Sequence, residues 1–279
     1  MAQLRIIDDL AEARRTVLRR VPFGDVAVSP EMADGIRSIF GEALTPEQVV
    51  ARILHDVRTK GDSALRDYAQ RIDGSKLEAI EVPRAERERA LRDLKPELRE
   101  ALRIAASQVR AFHERQHSTS WTHWSEQGAV GQIVRPLQRV GLYAPGGRAI
   151  YPSTVLMAAI PAQVAGVQEI VVCSPAGRDG HVSPLILAAC ELCGVDRVFA
   201  LGGAQAIAAM AYGTETVPRV DKILGPGNLF VVLAKRMVFG AVDIDQLPGP
   251  TEALVVADDS ANPASVAIDL LAQAEHDPQ

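Results

Sequence analysis

The stretch that decides the fold is residues 196–212, DRVFALGGAQAIAAMAY. Asp196–Ala200 is a short run with β-branched and aromatic residues, which is typical of a buried strand. Leu201-Gly202-Gly203 can form a tight turn, and Ala204–Tyr212 is an alanine-rich helical segment. The stretch therefore predicts one strand, one glycine turn and one helix in succession.

The same unit recurs on both sides of this stretch. Strands are predicted at Gln138–Tyr143, Glu169–Cys173, Asp196–Ala200, Lys222–Leu224 and Ala253–Ala257. Helices are predicted between them at Thr154–Gly166, Pro184–Cys193, Ala204–Tyr212 and Leu229–Phe239. This alternation predicts an α/β protein with a mostly parallel sheet and helices on both of its faces.

Loops rich in glycine and proline follow the predicted strands. They are Ala144-Pro145-Gly146-Gly147, Leu201-Gly202-Gly203, Gly225-Pro226-Gly227-Asn228 and Pro248-Gly249-Pro250-Thr251. Ligands of open parallel sheets bind at the carboxyl ends of the strands, so the position of these loops indicates a binding site. Tight turns alone would also account for the glycines.

Charged residues are concentrated in residues 1–125, which predicts surface-rich helices there. Thr45-Pro46-Glu47-Gln48 predicts a helix start, because Thr45 can cap it and Gln48 completes a capping box. A second helical run is predicted from Pro83 to about His117. Its dense charges indicate solvated faces with i,i+4 ion pairs rather than a binding site.

Composition excludes several classes of protein. The 279 residues are 47% hydrophobic, which is enough to bury one or two cores. A net charge of −5 argues against binding to nucleic acid or to an anionic membrane, and three cysteines are too few for a disulfide framework. The N-terminus lacks the apolar region of a signal peptide, and the apolar stretch Val155–Val167 is too short to span a bilayer. We therefore expect a soluble cytoplasmic protein with no nucleic-acid or membrane partner.

Standard nucleotide-binding signatures do not occur in the sequence. It contains neither G-x-G-x-x-G nor a Walker A loop. A nucleotide would therefore be held in another way, and backbone amides at the helix starts after Gly203 or Gly227 are candidates for contacting phosphates.

Two other motifs favour structural interpretations. Cys190 and Cys193 form a C-x-x-C, but they lie at the end of a predicted helix, whereas a redox pair needs the helix start. Buried structural thiols are therefore favoured. His113 and His117 are four residues apart, and an exposed helix surface is favoured over a metal site because polar residues surround them.

The last predicted helix carries two candidate metal ligands. Asn262-Pro263 is a capping residue followed by proline, and the helix predicted at Ala264–Glu275 places Gln273 and His276 on one face. Histidine is a common zinc ligand, whereas glutamine is an uncommon one. From the spacing alone, a metal-binding pair and an exposed polar helix end both remain open.

The chain resembles the histidinol dehydrogenase family in six motifs that occur in the family's order and spacing. They are VGLYAPGG (140–147), YPSTVLM (151–157), LGGAQAIAA (201–209), KILGPGN (222–228), PGPTE (248–252) and QAEH (273–276). The resemblance implies an NAD-dependent enzyme that oxidises L-histidinol to L-histidine through an aldehyde, in two hydride transfers, as the last step of histidine biosynthesis. It also implies a homodimer with one Zn²⁺ per subunit.

Site residues follow from the resemblance position by position. Tyr143, Gln205 and Asn228 match the family's NAD-contacting residues. Thr251, Gln273 and His276 match its substrate-contacting residues, and Gln273 and His276 also match two zinc ligands. The family usually has serine at the position of Thr251; the hydroxyl is kept, so we expect the contact to survive.

The resemblance also implies a fold of incomplete Rossmann-like parallel sheets with an N-terminal helical segment. We predict that residues 1–125 form this segment and the start of a first α/β domain, that residues 126–250 form a second one, and that residues 251–279 return to the first. The family's Glu-His acid/base pair and two further zinc ligands have no counterpart in residues 1–279. We therefore expect no catalytic acid/base residue within residues 1–279 and no activity from this chain alone. We expect this chain to be an incomplete, N-terminal portion of the enzyme; the alternative is a non-catalytic NAD- or ligand-binding paralogue that ends at residue 279.

Overall fold

The computed structural model describes residues 6–19, 28–146, 150–247 and 253–274. The chain forms two compact units, Met1–Thr45 and Pro46–Gln279. The first unit contains helices α1 (Leu10–Arg15) and α2 (Pro30–Phe40). Each begins at a side-chain cap: Asp9 accepts from the Ala11 N–H, and Ser29 accepts from the Met32 N–H.

The second unit contains the sheets and the remaining elements. Its helices are α3 (Pro46–Lys60), α4 (Asp62–Ile72), α5 (Arg84–Asp93), α6 (Pro96–His113), α7 (Pro152–Val164), α8 (Pro184–Leu192), α9 (Gly203–Tyr212), α10 (Leu229–Val238) and α11 (Pro263–Ala274). Its strands are β1 (Trp121–Ser125), β2 (Gly128–Gln132), β3 (Arg139–Tyr143), β4 (Glu169–Ser174), β5 (Arg197–Ala200), β6 (Lys222–Leu224) and β7 (Asp243–Ile244).

Strands β3 to β7 form one parallel sheet in the order β5-β4-β3-β6-β7. Val140 of β3 is paired with Ile170 of β4 on one side and with Lys222 of β6 on the other. The chain runs from β3 outward to β5, and then crosses back through α9 to β6. The order therefore reverses between β3 and β6, which is where open α/β sheets form their ligand crevice.

The helices that cover the sheet fall into two packing groups. Helices α5, α6, α7 and α8 pack on one another, and so do α3, α4, α9 and α10. Right-handed crossovers from β3 to β5 and from β6 to β7 place these groups on opposite faces. Strand residues such as Val171, Val198 and Ile223 are fully buried between them. Burial of each such side chain contributes about 1.5–3 kcal/mol.

The predicted α/β class with a parallel sheet is confirmed. The predicted strands before residue 225 appear as β3, β4, β5 and β6 with bounds that differ by at most one residue. The helices between residues 150 and 240 appear as α7 to α10, and α7 begins and ends two residues earlier than predicted. Their apolar runs were readable because both faces of a parallel sheet are covered.

Three predictions of secondary structure are wrong. Residues 253–257 form no strand. Among the described residues no strand pairs with them, and Leu254 and Val256 are almost fully exposed. The run from Pro83 to His117 is two helices, because Pro96 disfavours a helical conformation at Lys95, which has a ψ of 135°. The prediction that His113 and His117 lie on one helix surface is also wrong, because α6 ends at His113 and His117 lies beyond it. The division into domains at residues 125 and 250 stays a prediction.

Strands β1, β2 and β7 were not predicted from the sequence, and helices α1, α2 and α4 were not predicted individually. Strands β1 and β2 form an exposed antiparallel hairpin with Trp121 opposite Gln132, and β7 is only two residues long. An exposed hairpin lacks the buried face that makes alternation visible in a sequence.

The structure supports the structural interpretation of the cysteines. Cys190 and Cys193 are buried free thiols, and burial raises the pKa of both, that of Cys193 to about 12. His113 is half-buried at the end of α6, and its Nδ1 lies 2.6 Å from Oε1 of Gln116. Among the described residues, no helix has the length and apolar character needed to cross a membrane.

Candidate functional site

The three residues predicted to contact a cofactor lie at the carboxyl edge of the parallel sheet. Tyr143 is the last residue of β3, Gln205 is in the first turn of α9, which follows β5, and Asn228 is the N-cap of α10, which follows β6. In a parallel sheet all of these strand ends meet at one edge. The fold therefore brings residues that are 62 and 23 positions apart in the sequence to a single edge.

Backbone segments at this edge pack in direct contact. A Cβ on Gly225, which has a φ of +119°, would lie 2.2 Å from the carbonyl oxygen of Tyr143. A Cβ on Gly202 would lie 2.6 Å from Cβ of Pro175. Glycine is therefore required where the loop after β6 meets β3 and where the loop after β5 meets the end of β4.

Tyr143 links the end of β3 to the start of α9. Its side chain is only 5% exposed, and its hydroxyl oxygen accepts a hydrogen bond from the Gly203 N–H at 3.0 Å. Burial raises the pKa of Tyr143 to about 12, and the negative charge of Asp73 adds to this effect. The hydroxyl group therefore stays protonated at neutral pH and can donate a hydrogen bond to another acceptor.

Gln205 is a buried amide with one unused atom. It is 1% exposed, and its Nε2 donates to Oδ2 of Asp73 at 3.3 Å. Among the described residues, its Oε1 has no hydrogen-bond partner. This oxygen lies so close to Gly203 that a Cβ there would be 2.7 Å away. Burial also raises the pKa of Asp73 to about 6. A buried acceptor without a partner is costly, which makes Oε1 a candidate for ligand binding.

Asn228 positions its own loop. Its Oδ1 accepts from the Val231 N–H at 3.2 Å and so caps α10. The side chain is exposed, and the cap leaves its NH₂ group available as a donor.

A buried ion pair holds the start of the same loop. Lys235 is fully buried; its Nζ donates to the Gly225 carbonyl at 2.9 Å and to Oδ1 of Asp245. Oδ2 of Asp245 accepts from the Gly225 N–H at 2.8 Å. Both polar groups of Gly225 are thus fixed by opposite charges. The sequence analysis missed Lys235 and Asp245, although a lysine inside the apolar segment Leu229–Val238 was a readable signal.

An apolar groove of about 530 Å³ lies beside this loop. Its lining includes Val140, Thr154 and Met157 on one side and Gly225 and Pro226 on the other. Its volume suits a small ligand. The groove also runs along the point between β3 and β6 where the strand order reverses.

The substrate and zinc predictions are largely outside the described part of the chain. Thr251 and His276 lie outside the described residues. Gln273 is in the last turn of α11 and is partly exposed. The N-cap of this helix is confirmed, because Oδ1 of Asn262 accepts from the Ala264 N–H at 2.9 Å. Within the described ranges, no group of three or more His, Cys, Asp or Glu side chains is arranged to hold a metal.

Comparison with known proteins decides the family. Residues 42–279 match the sequence model described as Histidinol dehydrogenase. The chain belongs to the histidinol dehydrogenase family. The resemblance seen in the six motifs is thereby confirmed.

Relatives within the histidinol dehydrogenase family are similar over most of this chain. Histidinol dehydrogenase of Deinococcus radiodurans is 57% identical over 266 residues, which is 95% of this chain and 60% of that protein. Histidinol dehydrogenase of Dehalococcoides mccartyi strain CBDB1 is 49% identical over 275 residues, or 98% of this chain and 62% of that protein. The chain thus spans about three fifths of the length of these curated relatives.

A solved structure of a relative has a fold similar to that of this chain. The crystal structure of histidinol dehydrogenase from Elizabethkingia anophelis has a TM-score of 0.78 and 38% identity, covering 90% of this chain and 59% of that one. All of these relatives are named histidinol dehydrogenase, so the alternative of a non-catalytic paralogue is not favoured. The roles of Tyr143, Gln205, Asn228, Thr251, Gln273 and His276 stay predictions.

Proposed function

We propose that the protein to which this chain belongs oxidises L-histidinol to L-histidine with NAD, in two hydride transfers through an aldehyde. The observation that carries the proposal is the family match over residues 42–279. The convergence of Tyr143, Gln205 and Asn228 at the carboxyl edge of the sheet supports it. A cytoplasmic location and a homodimeric assembly belong to the same proposal.

The described residues fit a dinucleotide. The edge offers the unpartnered Oε1 of Gln205, the protonated hydroxyl of Tyr143 and the NH₂ group of Asn228. Glycine at residues 202 and 225 lets the loops that carry these residues pack closely against Pro175 and Tyr143. NAD, when bound, accepts a hydride from the substrate. Tyr143, Gln205 and Asn228 bind and orient it.

Backbone amides that follow Gly203 or Gly227 stay candidates for contacting phosphates, and the amide of Gly203 itself is not one of them. In the structure this N–H donates to the Tyr143 hydroxyl, so the first amide of α9 already has a partner. The proposed role of α9 is therefore to hold Tyr143 and Gln205 rather than to offer its first amide to an anion.

Gln273 and His276 are proposed as two zinc ligands, and together with Thr251 as substrate contacts. An imidazole nitrogen and an amide oxygen are acceptable zinc donors, but a catalytic zinc site has three protein ligands. These two residues therefore supply only part of such a site. Zinc at such a site polarises the substrate oxygen.

Turnover of L-histidinol by the complete natural protein tests the proposal. We expect NADH absorbance to rise when L-histidinol and NAD are added. We expect Gln205→Leu to raise the Kd for NAD, and His276→Asn to lower both zinc content and turnover about 10–100-fold or more. Asp67→Asn, on the exposed face of α4, is the matched control and should behave as the unmodified protein. A folded, zinc-loaded protein that forms no NADH from L-histidinol would contradict the proposal.

A further inference from the structure

We propose that Asp73 is a positioning residue of the cofactor site. It holds the Gln205 amide in one orientation, and so makes the site offer a hydrogen-bond acceptor, rather than a donor, to the bound nucleotide. This inference rests on the proposed function, because it concerns the same NAD site. Asp73 is not one of the residues matched through the family motifs, and it comes from a helix outside the β-α units.

The chemistry of the contact fixes the orientation of the amide. Asp73 is the C-cap of α4, and its Oδ2 lies 3.3 Å from Nε2 of Gln205. An ionised carboxylate only accepts hydrogen bonds, so the NH₂ group of the glutamine must face it. The reverse orientation would place Oε1 against the carboxylate, where two acceptors repel each other.

The contact with Asp73 also determines the position of the oxygen of the Gln205 amide. With Nε2 committed to Asp73, Oε1 lies against Gly203 without a partner. Gly203 in turn donates its N–H to the hydroxyl of Tyr143. Asp73 is thereby connected through Gln205 and Gly203 to Tyr143. A hydroxyl or amino group of a nucleotide is the type of ligand group that completes the hydrogen bonding of Oε1.

The side chain of Asp73 can be changed without changing the helix end. The backbone N–H of Asp73 closes α4 on the Ala69 carbonyl, which any residue at this position can do. Among the described residues, the Asp73 carboxylate accepts its hydrogen bond from Gln205. Replacing the side chain of Asp73 therefore removes its contact with Gln205 and leaves the end of α4 intact.

A double-mutant cycle on NAD binding tests the inference in the complete protein. We expect Asp73→Ala to weaken NAD binding about tenfold, the loss expected for one hydrogen bond to a charged group. In the Gln205→Leu background, Asp73→Ala should cause no further loss, because Asp73 acts only through Gln205. Asp73→Asn should weaken NAD binding less than Asp73→Ala, because its Oδ1 can accept from Nε2 while its NH₂ group also permits the reverse orientation of the Gln205 amide. Asp67→Ala, on the same helix, should leave the Kd unchanged.

The outcomes separate this inference from the proposed function. Absence of NAD binding by the unmodified protein would overturn the cofactor proposal and the inference with it. Normal NAD binding with additive effects of Asp73→Ala and Gln205→Leu would overturn the inference alone, because a merely structural role gives additive losses. Thermal unfolding reports whether each variant is folded. If Asp73→Ala does not fold, Asp73→Asn replaces it in the same cycle, and a loss of NAD affinity that adds to that of Gln205→Leu contradicts the inference.

Discussion

Replacement of Lys235 by methionine tests how the loop from Gly225 to Asn228 is held. The ammonium group is fully buried and bonds both the Gly225 carbonyl and the Asp245 carboxylate. Methionine has a similar volume and adds little packing cost. Breaking a buried ion pair costs about 3–5 kcal/mol, because the remaining charge has no partner. Asp245 is 26% exposed and can be partly hydrated, so we expect a loss of about 2–4 kcal/mol in the free energy of unfolding.

Urea unfolding followed by circular dichroism measures this loss. Lys222→Met is the matched control, since Lys222 makes a more exposed pair with Asp243 at 2.7 Å and should cost less than about 1 kcal/mol. The double variant Lys235→Met/Asp245→Leu should recover part of the stability, because neither charge is left unpaired. NAD affinity should fall in Lys235→Met. If Lys235→Met loses no more free energy of unfolding than Lys222→Met, the ion pair of Lys235 and Asp245 does not stabilise this loop.

Three further predictions concern Asp73, Asn228 and the buried cysteines. The raised pKa of Asp73, about 6 against 3.8, means that the folded state becomes relatively less stable as pH rises from about 4 to 6. Solvent screening limits the effect to about 1–2 kcal/mol in the free energy of unfolding. In a denaturant titration, Asp73→Asn should therefore be as stable as the unmodified protein near pH 4 and more stable by about 1–2 kcal/mol at pH 8. Asn228→Ala removes the cap of α10 and should cost about 1 kcal/mol in the same assay, with weaker NAD binding by calorimetry. Cys190 and Cys193 should react with iodoacetamide only after unfolding, which mass spectrometry detects; rapid labelling of the native protein would contradict their burial.

The parallel sheet was predictable because its strands are continuous apolar runs separated by glycine loops. Strand β4, for example, reads EIVVCS and has five buried residues. The hairpin of β1 and β2 has no buried face, so no periodicity marked it. Residues 253–257 have strand-forming side chains, but propensity alone provides no hydrogen-bonding partner.

The candidate site was predictable only in part, because some of its contacts join residues that are far apart in the sequence. Tyr143, Gln205 and Asn228 lie at a strand end and at two helix starts, within motifs that the family shares, and the fold brings them to one edge. Asp73 and Gln205 are 132 residues apart, so no local pattern reveals their contact. Lys235 was locally visible as a charge within an apolar helix, but its partner Asp245 depends on the pairing of β6 with β7.

The stoichiometry of L-histidinol oxidation by the complete natural protein tests whether two hydride transfers to NAD occur for each L-histidine formed. NADH is followed by absorbance and L-histidine by chromatography in the same reaction. The account predicts two NADH for each L-histidine formed, with no product in the absence of NAD. Absence of NADH, or one NADH per L-histidinol with release of the aldehyde, would contradict it.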